Sequence, residues 1–358
     1  GSEMCIRDSF VPTNPSKGTC VQMNIYDVSR EANVSAATVS RVINGSSKVS
    51  PATRKKVLDV IHKSGYIPNA FAQGLSHDTM RTVGILCVDP SDPNACGNFS
   101  MGIGYVQREL RGFDYDTVIY CVGYDMEDKA SCLQTMCDRR VDAIVVLGSF
   151  FVEGDPEKNA CIIKAAQQVP VFLVNGYIDA PNVYSFRCGD RKGAFQAVNQ
   201  MAKSGAKDIL FLHHNMTGSV RSKLEGYQEA LHQNGLTVRQ EYICSCSLDI
   251  QESAAEVERL AEAGLKFDGV IATEDSIAVG VLKYAQRHGI AVPDDLCVIG
   301  FGNTNLTESC TPELSSVDNS VEAACVAAVS MLIHKLKNHR IPSELTVSSA
   351  VVYRKTTR

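Results

Sequence analysis

The sequence lacks the features that mark membrane-spanning, exported and metal-binding proteins. Its longest apolar stretches, such as Thr82–Val88 and Asp142–Gly148, have the length of a β-strand and are far too short to cross a bilayer. Near the amino end no basic patch is followed by an apolar core and a small-residue cleavage site, so we expect a cytoplasmic protein. The 14 cysteines form no CxxC pair and no Cys/His cluster at zinc-ligand spacing. They indicate small buried thiols in a reducing compartment, and we expect neither a metal nor a cofactor.

Sequence motifs of catalysis are also missing. The G-x-S-x-G turn that carries a hydrolase nucleophile does not occur. A dinucleotide site requires G-x-G-x-x-G directly after the first strand, whereas Gly102-Ile-Gly104 falls inside a predicted helix. His213 and His214 end a predicted strand without an evident catalytic partner. The sequence therefore predicts that the protein is not an enzyme.

The charge of the chain is divided between a basic amino-terminal part and an acidic remainder. With 44% apolar and 21% charged residues, the composition is that of an ordinary folded protein and excludes a fibrous or disordered chain. Residues 23–81 contain eight Lys/Arg against four Asp/Glu, whereas residues 82–358 contain 25 against 34. This asymmetry favours a small head that binds a polyanion and a larger body with another task.

The segment after Met23 has the pattern of three short helices. The first covers about Ile25–Ala32, and Ser35 is placed to cap a second helix over Ala36–Asn44. Ser50 caps a third helix, with Pro51 at its first position, and Gly65 ends it. Two short helices joined by a tight turn are typical of a helix-turn-helix, whose second helix enters the major groove of DNA.

The exposed amino-terminal face of the second helix carries the side chains expected to read bases. Arg41 can pair bidentately with guanine, and small side chains can contact thymine methyl groups. The base-reading set is Ala36, Ala37, Ser40 and Arg41. Nearby polar side chains suit contacts with phosphates, which position the head without reading sequence: Tyr26, Ser35, Thr38, Asn44, Lys48, Ser50 and Thr53. The alternative is a plain three-helix bundle with a solvated basic face.

From Thr82 onward, apolar strands alternate with amphipathic helices. A strand recurs every 25–30 residues, which is typical of βαβ units and parallel sheets. The alternation occurs in two runs, separated near Gly189, and so predicts two similar Rossmann-like lobes. Parallel sheets bind ligands at the carboxyl ends of their strands, so we expect a ligand in the cleft between the lobes.

The residues from Ile25 to Ser76, IYDVSREANVSAATVSRVINGSSKVSPATRKKVLDVIHKSGYIPNAFAQGLS, resemble the headpiece and hinge of the lac repressor (LacI/GalR) family of bacterial transcriptional regulators. The last residues, VVYRKTTR, resemble the closing strand of that family. The resemblance extends over about residues 24–358 and implies a periplasmic-binding-protein-like core. It also implies that Tyr66 contacts the DNA backbone and that a hinge helix with Asn69, Ala72 and Leu75 enters the minor groove, where Leu75 acts as a wedge.

The resemblance further implies an effector site between the lobes. In the family an arginine at the position of Arg221 holds the effector, and Glu274-Asp275 fall on an acidic or amide pair beside it. Asp89 and Asn175 follow strands of the first lobe, where a side chain either contacts a ligand or caps the loop. The full set of candidate effector residues is Asp89, Asn175, Arg221, Glu274, Asp275, Phe301 and Asn303.

The sequence departs from the family's pattern in the stretch IGFGNTNL. An aspartate usually follows the aromatic residue there and binds sugar hydroxyls, whereas this chain has Gly302 and then Asn303. The loop DPSDPNACGNF also lacks the family's paired aromatics. Two alternatives remain open: the effector is not an ordinary sugar, or Glu274 replaces the missing carboxylate.

We therefore expect a sequence-specific DNA-binding repressor that works as a homodimer on a near-palindromic operator under the control of a small molecule. A protein corepressor, as in the catabolite control branch of the family, is one alternative, and a sugar receptor or transport component without a DNA role is another. Because no heptad repeat precedes Arg358, we do not expect the family's tetramer-forming appendage.

The expected domain organisation follows from the same patterns. Residues 1–22 show no periodicity and read as a disordered leader or remnant before a natural start at Met23. The other expected parts are a helix-turn-helix domain (23–65), a hinge (66–81), a first lobe (about 82–181 plus 302–340) and a second lobe (about 182–301 plus 341–358).

Overall fold

The computed structural model describes residues 23–43, 46, 48–64, 79–90, 97–123, 127–154 and 156–358, with the backbone alone for 97–100 and 156. The chain divides into two compact units, residues 1–80 and 81–358. The expected leader lies outside the described residues, as do five of the predicted DNA contacts: Asn44, Tyr66, Asn69, Ala72 and Leu75.

The amino-terminal unit contains the three predicted helices, α1 (Ile25–Glu31), α2 (Ala36–Ile43) and α3 (Pro51–Ser64). Asn24 caps α1, because its side chain accepts hydrogen bonds from the backbone N–H groups of Tyr26 and Asp27. Five buried side chains from the three helices form the core: Val28, Ala32, Val39, Val42 and Val57. This small core holds α2 against α1 and α3.

The guanidinium of Arg54, on α3, donates hydrogen bonds to the carbonyl oxygens of Val42 and Ser46. These groups lie at the end of α2, where backbone carbonyls have no partner within the helix. Arg54 therefore fixes the end of α2 and is not simply one more cation on a solvated face.

The first lobe of the larger unit is built on a six-stranded sheet with the strand order β11-β5-β4-β3-β1-β2. All of its neighbouring strands are parallel. Their bounds are β1 Thr82–Val88, β2 Asp116–Val122, β3 Ala143–Leu147, β4 Val171–Val174, β5 Val183–Arg187 and β11 Glu344–Thr346.

Helices cover both faces of this sheet. Helices α4 (Gly97–Arg111) and α12 (Val321–Leu336) bury one face. Helices α5 (Lys129–Asp138) and α6 (Ala160–Ala166) bury the other. Because β1, β3 and β4 lie between these layers, they read in the sequence as continuous apolar runs.

The second lobe repeats the arrangement on a sheet with the order β12-β10-β9-β8-β6-β7, in which only β12 is antiparallel. Its strands are β6 Ile209–His213, β7 Ile243–Ser245, β8 Gly269–Ala272, β9 Cys297–Phe301, β10 Ser315–Asp318 and β12 Ala350–Val352. Its helices are α7 Asp190–Lys203, α8 Gly218–Gln233, α9 Ile250–Glu262, α10 Asp275–His288 and the short α11 Leu306–Ser309.

The expected lobe boundaries need correction, because the chain crosses between the lobes three times: after β5, after β10 and after β11. Strand β5 pairs with β4 and buries Val183 and Phe186 in the first lobe, although the sequence placed it in the second. Strand β10 pairs with β9 in the second lobe, and β11 pairs with β5 in the first, which is the reverse of both assignments. Strand pairing decides membership of a lobe, and the order of elements along the chain does not reveal it.

The predicted fold class is otherwise confirmed: a helix-turn-helix unit accompanies an α/β core with two parallel-sheet lobes. Within the described residues, every helix is too short or too polar to cross a membrane. The 11 described cysteines are all free thiols, but the expectation that they are buried holds for six of them: Cys121 is exposed and four others are half-buried.

Gly226 allows α7 and α8 to approach closely, since a Cβ atom there would lie 2.0 Å from the carbonyl oxygen of Arg191. We expect Gly226→Ala to destabilise the core by about 1–3 kcal/mol or more, because backbone must move. Gly104→Ala is the matched control: that glycine lies within α4 with no atom near its Cβ position. It should stabilise the protein by roughly 0.5–1 kcal/mol. Urea unfolding measures both, and equal effects would show that the helix contact does not require glycine.

Candidate functional site

The face of α2 that points away from the headpiece core carries the predicted base-reading residues. Ala37 and Arg41 are exposed, and Ala36 and Ser40 are half-buried, whereas Val39 on the opposite face is buried. The periodicity that buries Val39 and Val42 therefore leaves Arg41 free to reach outward. This is the arrangement that a recognition helix requires.

Four of the predicted phosphate-contacting side chains form helix caps. The hydroxyl of Ser35 accepts a hydrogen bond from the backbone N–H of Thr38 at 3.1 Å, and the two hydroxyls lie 2.9 Å apart. Ser50 and Thr53 repeat this geometry at the start of α3. The hydroxyls thus lie at the amino ends of α2 and α3, where backbone N–H groups favour an anion.

Tyr26, on α1, has 67% of its surface exposed, and Lys48 is also exposed. Both side chains are therefore available for the backbone contacts predicted for them.

A cavity of about 490 Å³ lies between the two lobes of the larger unit. The first lobe contributes residues that follow β3, β4 and β5, and the second lobe contributes the start of α7 and the first turn of α8. Ten of the 18 lining residues have a short polar or a charged side chain: Ser149, Glu153, Asn159, Asn175, Asp179, Arg187, Asp190, Ser219, Arg221 and Ser222. The site thus lies at the carboxyl ends of first-lobe strands, as parallel sheets predict.

Arg221 reaches across this cavity towards Gly154. A Cβ atom on Gly154 would lie only 2.9 Å from Nη2 of Arg221, so a larger residue there would displace the guanidinium. Arg221 is exposed and forms neither a hydrogen bond nor an ion pair with the described residues. Its five N–H donors are therefore available to a ligand.

Hydrogen bonds join the lobes at the first turn of α8. Asn175, at the end of β4, donates from Nδ2 to Oγ of Ser219 at 3.3 Å. Ser219 in turn donates to Oδ2 of Asp190 at 2.5 Å. Beside this chain, the hydroxyl of Ser149 donates to the hydroxyl of Thr217 at 3.0 Å.

Asn175 itself is held rigidly. Its backbone adopts a left-handed conformation with φ of 61°, which asparagine tolerates better than most residues. Its Oδ1 accepts a hydrogen bond from the backbone N–H of Cys188 at 3.1 Å. The amide group is therefore oriented towards the second lobe.

Lys223 is a functional candidate that the sequence reasoning missed. Its Nζ is buried, donates to the carbonyl oxygen of Thr273 at 3.0 Å and lies 3.8 Å from Oε1 of Glu274. The same ammonium lies 4.1 Å from the centre of the Phe301 ring, at cation–π distance. Lys223 thus occupies the strand ends of the second lobe together with two predicted effector residues.

Helical periodicity could have identified Lys223. The buried positions of α8 include Val220, Lys223, Tyr227 and Ala230, which are spaced by three or four residues. Lys223 lies on this buried face and Arg221 does not. The spacing of three or four residues that predicts the helix therefore also predicts that Lys223 is buried and Arg221 is not.

Both carboxylate oxygens of Asp275 accept hydrogen bonds from other residues of the second lobe. Its Oδ2 accepts hydrogen bonds from the backbone N–H and the hydroxyl of Thr304, and its Oδ1 accepts one from Ser316 at 2.6 Å. Burial raises the pKa of Asp275 to about 6, although these hydrogen bonds favour the charged form. The carboxylate joins α10 to the loop after β9 and to β10.

The remaining predicted effector residues also lie outside the described lining of the cavity. Oδ1 of Asn303 accepts a hydrogen bond from Arg354 at 2.9 Å, and Asn303 borders a second hollow of about 750 Å³ between α4 and α12. Asp89 follows β1, and its backbone N–H donates to Val122. Of the seven predicted effector residues, the structure brings Asn175 and Arg221 together in one cavity.

Comparison with known proteins agrees with this architecture. Residues 24–69 match the model of bacterial regulatory proteins of the lacI family, and residues 198–357 match that of the periplasmic binding protein-like domain. An HTH-type transcriptional regulator of Lachnoclostridium phytofermentans is 39% identical over 94% of this chain and 99% of its own length. The chain belongs to the lacI family of bacterial regulatory proteins. It is therefore a DNA-binding transcriptional regulator, which confirms this part of the function expected from the sequence.

Two further family members show how far the likeness extends. Catabolite control protein A of Priestia megaterium is 32% identical over 91% of this chain and 96% of its own length. A solved structure of the lac repressor dimer, bound to operator and the anti-inducer ONPF, superimposes with a TM-score of 0.81 at 20% identity. It covers 94% of this chain and 99% of that protein, so the fold is shared from the headpiece to the last strand.

The stability of the core should depend on the protonation of Asp275. Because its folded-state pKa of about 6 lies above the ordinary value of 3.8, the unfolded chain loses this proton first as the pH rises. The contribution is fully present below about pH 4, and up to about 3 kcal/mol is lost as the pH rises through 6. Urea unfolding of the wild type and Asp275→Asn should show the advantage of the wild type shrinking with rising pH. A difference independent of pH would contradict this account.

Proposed function

We propose that this regulator is a homodimeric repressor that acts in the cytoplasm and whose operator affinity is set by a small polar molecule in the interlobe cavity. One observation carries the proposal: the first turn of α8 supplies both a cation that lines the cavity, Arg221, and hydroxyls that join the lobes. A ligand there contacts the same residues that hold the two lobes together.

The headpiece supports a repressor that reads DNA through α2. Arg41 is exposed on α2, which packs on the core of the three-helix unit. Hydroxyl groups cap α2 and α3 at the ends where phosphates would approach. We assign base reading to Ala36, Ala37, Ser40 and Arg41, and backbone contacts to Tyr26, Ser35, Thr38, Asn44, Lys48, Ser50, Thr53 and Tyr66. We also assign minor-groove contacts to Asn69, Ala72 and Leu75.

Two copies of one headpiece fit a near-palindromic operator, because each copy binds one half-site about one helical turn from the other. The lac repressor, which shares the fold, has been solved as a dimer on its operator. A homodimer is therefore the assembly that we propose for this chain.

The cavity favours a ligand rich in hydrogen-bonding groups, such as a sugar or a related metabolite. Its lining combines a free guanidinium, the amide of Asn175 and carboxylates, which together donate to and accept from hydroxyl groups. Binding would change the hydrogen bonds from Asn175 to Ser219 and from Ser149 to Thr217, and with them the relative position of the lobes. A coupling free energy of about 1–3 kcal/mol between ligand and operator is typical of such regulators.

Control by a protein corepressor is the second candidate, because catabolite control protein A is among the relatives. Gly302 occupies the position where the family usually has an aspartate that binds sugar hydroxyls, so the second lobe lacks that carboxylate. The neighbouring Asn303 is hydrogen-bonded to Arg354. No catalytic role is proposed, since the family consists of transcriptional regulators.

Arg41→Ala should reduce affinity for the preferred operator by about 1–3 kcal/mol and relax specificity at one base pair. Lys48→Ala is the contrasting variant, since loss of a phosphate contact weakens all sequences alike. Randomised selection followed by fluorescence anisotropy on matched and mismatched duplexes distinguishes the two patterns. Equal weakening of every duplex by Arg41→Ala would refute its base-reading role.

Arg221→Ala should abolish the response to the effector and leave the operator affinity of the ligand-free protein unchanged, because the guanidinium forms no hydrogen bond or ion pair with the described residues. A thermal-shift screen of sugars, sugar phosphates and nucleosides supplies the effector, and operator titrations with and without it measure the response. Arg191→Ala removes an exposed arginine that pairs with Glu229 outside the cavity and serves as the control. An intact response in Arg221→Ala would place the ligand elsewhere.

A further inference from the structure

Asp190 is a buried carboxylate with one oxygen unused. Only 2% of the residue is exposed, and its Oδ2 accepts the hydrogen bond from Ser219. Its Oδ1 is inaccessible and has no hydrogen-bond partner among the described residues. A buried acceptor left without a partner costs stability, and the cost is higher for a charged group.

Other buried oxygens share this lack of a partner within the part of the chain that the structure describes, but their chemistry differs. They are the hydroxyls of Tyr120, Ser185, Thr273 and Ser349. A hydroxyl can rotate to serve as donor or acceptor, whereas a carboxylate can only accept. Asp190 is also the one member of this group that lines the interlobe cavity.

The charged side chains near Asp190 form ion pairs with other residues and not with its carboxylate. Glu153, another acid of the lining, pairs with Lys129 and Lys158, and Arg187 pairs with Glu344. Asp190 has no such ion pair among the described residues and relies on a neutral hydroxyl. The missing partner is therefore a hydrogen-bond donor, and the residue that lacks it is part of the cavity lining.

We infer that Oδ1 of Asp190 is the acceptor for a hydroxyl or ammonium group of the effector, so that Asp190 determines which ligands the cavity accepts. This inference rests on the proposed function of the cavity and specifies its ligand: a sugar or an amino sugar that presents a donor to a buried carboxylate.

The same carboxylate connects the ligand to the contact between the lobes. Ser219 donates to Asp190 and accepts from Asn175 of the other lobe, so these three side chains form one continuous hydrogen-bond chain. A donor that binds Oδ1 draws charge away from Oδ2 and weakens the bond to Ser219. Ligand recognition and lobe contact thereby share one residue.

The test uses the full-length protein and a defined panel of probes. Calorimetric titration compares glucose, galactose, mannose, cellobiose, maltose and lactose with glucosamine, galactosamine and mannosamine. The protein variants are the wild type, Asp190→Asn and the control Asp294→Asn, which changes an exposed carboxylate of the second lobe that does not line the cavity. Operator binding is measured for all three proteins without ligand.

We expect at least one probe to bind the wild type. Asp190→Asn should weaken that binding by about ten- to a hundred-fold, since a hydrogen bond to a charged acceptor is lost. Asp294→Asn should change it less than about three-fold, as expected for an exposed charge outside the cavity. Tighter binding of an amino sugar than of its parent sugar identifies an ammonium as the donor, and the reverse order identifies a hydroxyl.

Two results would overturn the inference. Equal binding of a probe by Asp190→Asn and the wild type would remove Asp190 from ligand recognition while the proposed regulator stands. Failure of every probe to bind, with operator binding intact, would reject the ligand class. Loss of operator binding by the ligand-free wild type would instead contradict the proposed function itself. Circular dichroism of Asp190→Asn verifies that the variant is folded.

Discussion

The structure depends on a constraint at the first turn of α8: the lobes meet there through hydroxyl and amide groups. Ser149 and Asn175 reach Thr217 and Ser219 by single hydrogen bonds. Each such bond contributes only about 0.5–1.5 kcal/mol net, so a ligand of ordinary affinity can compete with it. By contrast, the two faces of each sheet are buried under closely packed helices. The molecule thus combines rigid lobes with a contact between them that can be rearranged.

The charged groups near the cleft divide into two classes. Lys223 with Glu274, and Asp275 with Thr304 and Ser316, are held by partners within the second lobe. Arg221 and Asp190 line the cavity with unused hydrogen-bonding capacity. Buried polar groups in proteins normally have hydrogen-bond partners. The unused hydrogen-bonding groups of Arg221 and Asp190 therefore indicate where a ligand is expected to bind.

Much of this architecture could be predicted from the sequence, because it follows from local signals. Ser35, Ser50 and Pro51 mark helix starts, and apolar runs such as Thr82–Val88 mark buried strands. The lobe boundaries could not be predicted, since β5 is a half-buried strand and its place is decided by pairing with β4. The cavity was predicted in position, but its lining depends on rotamers and close approaches, such as that of Arg221 to Gly154, that no linear pattern encodes.

The three passages of the chain between the lobes have a consequence for biosynthesis. The first lobe receives α12 and β11 only from residues 321–346, after nearly the whole of the second lobe has been made. Until then one face of its sheet, including Val83, Ile85 and Phe172, lacks α12, one of the two helices that cover it. The growing chain therefore exposes part of this apolar face until α12 has been made. Each lobe is built from two separate segments of the chain, so neither lobe can be excised as a continuous polypeptide. The two lobes therefore fold together as one unit.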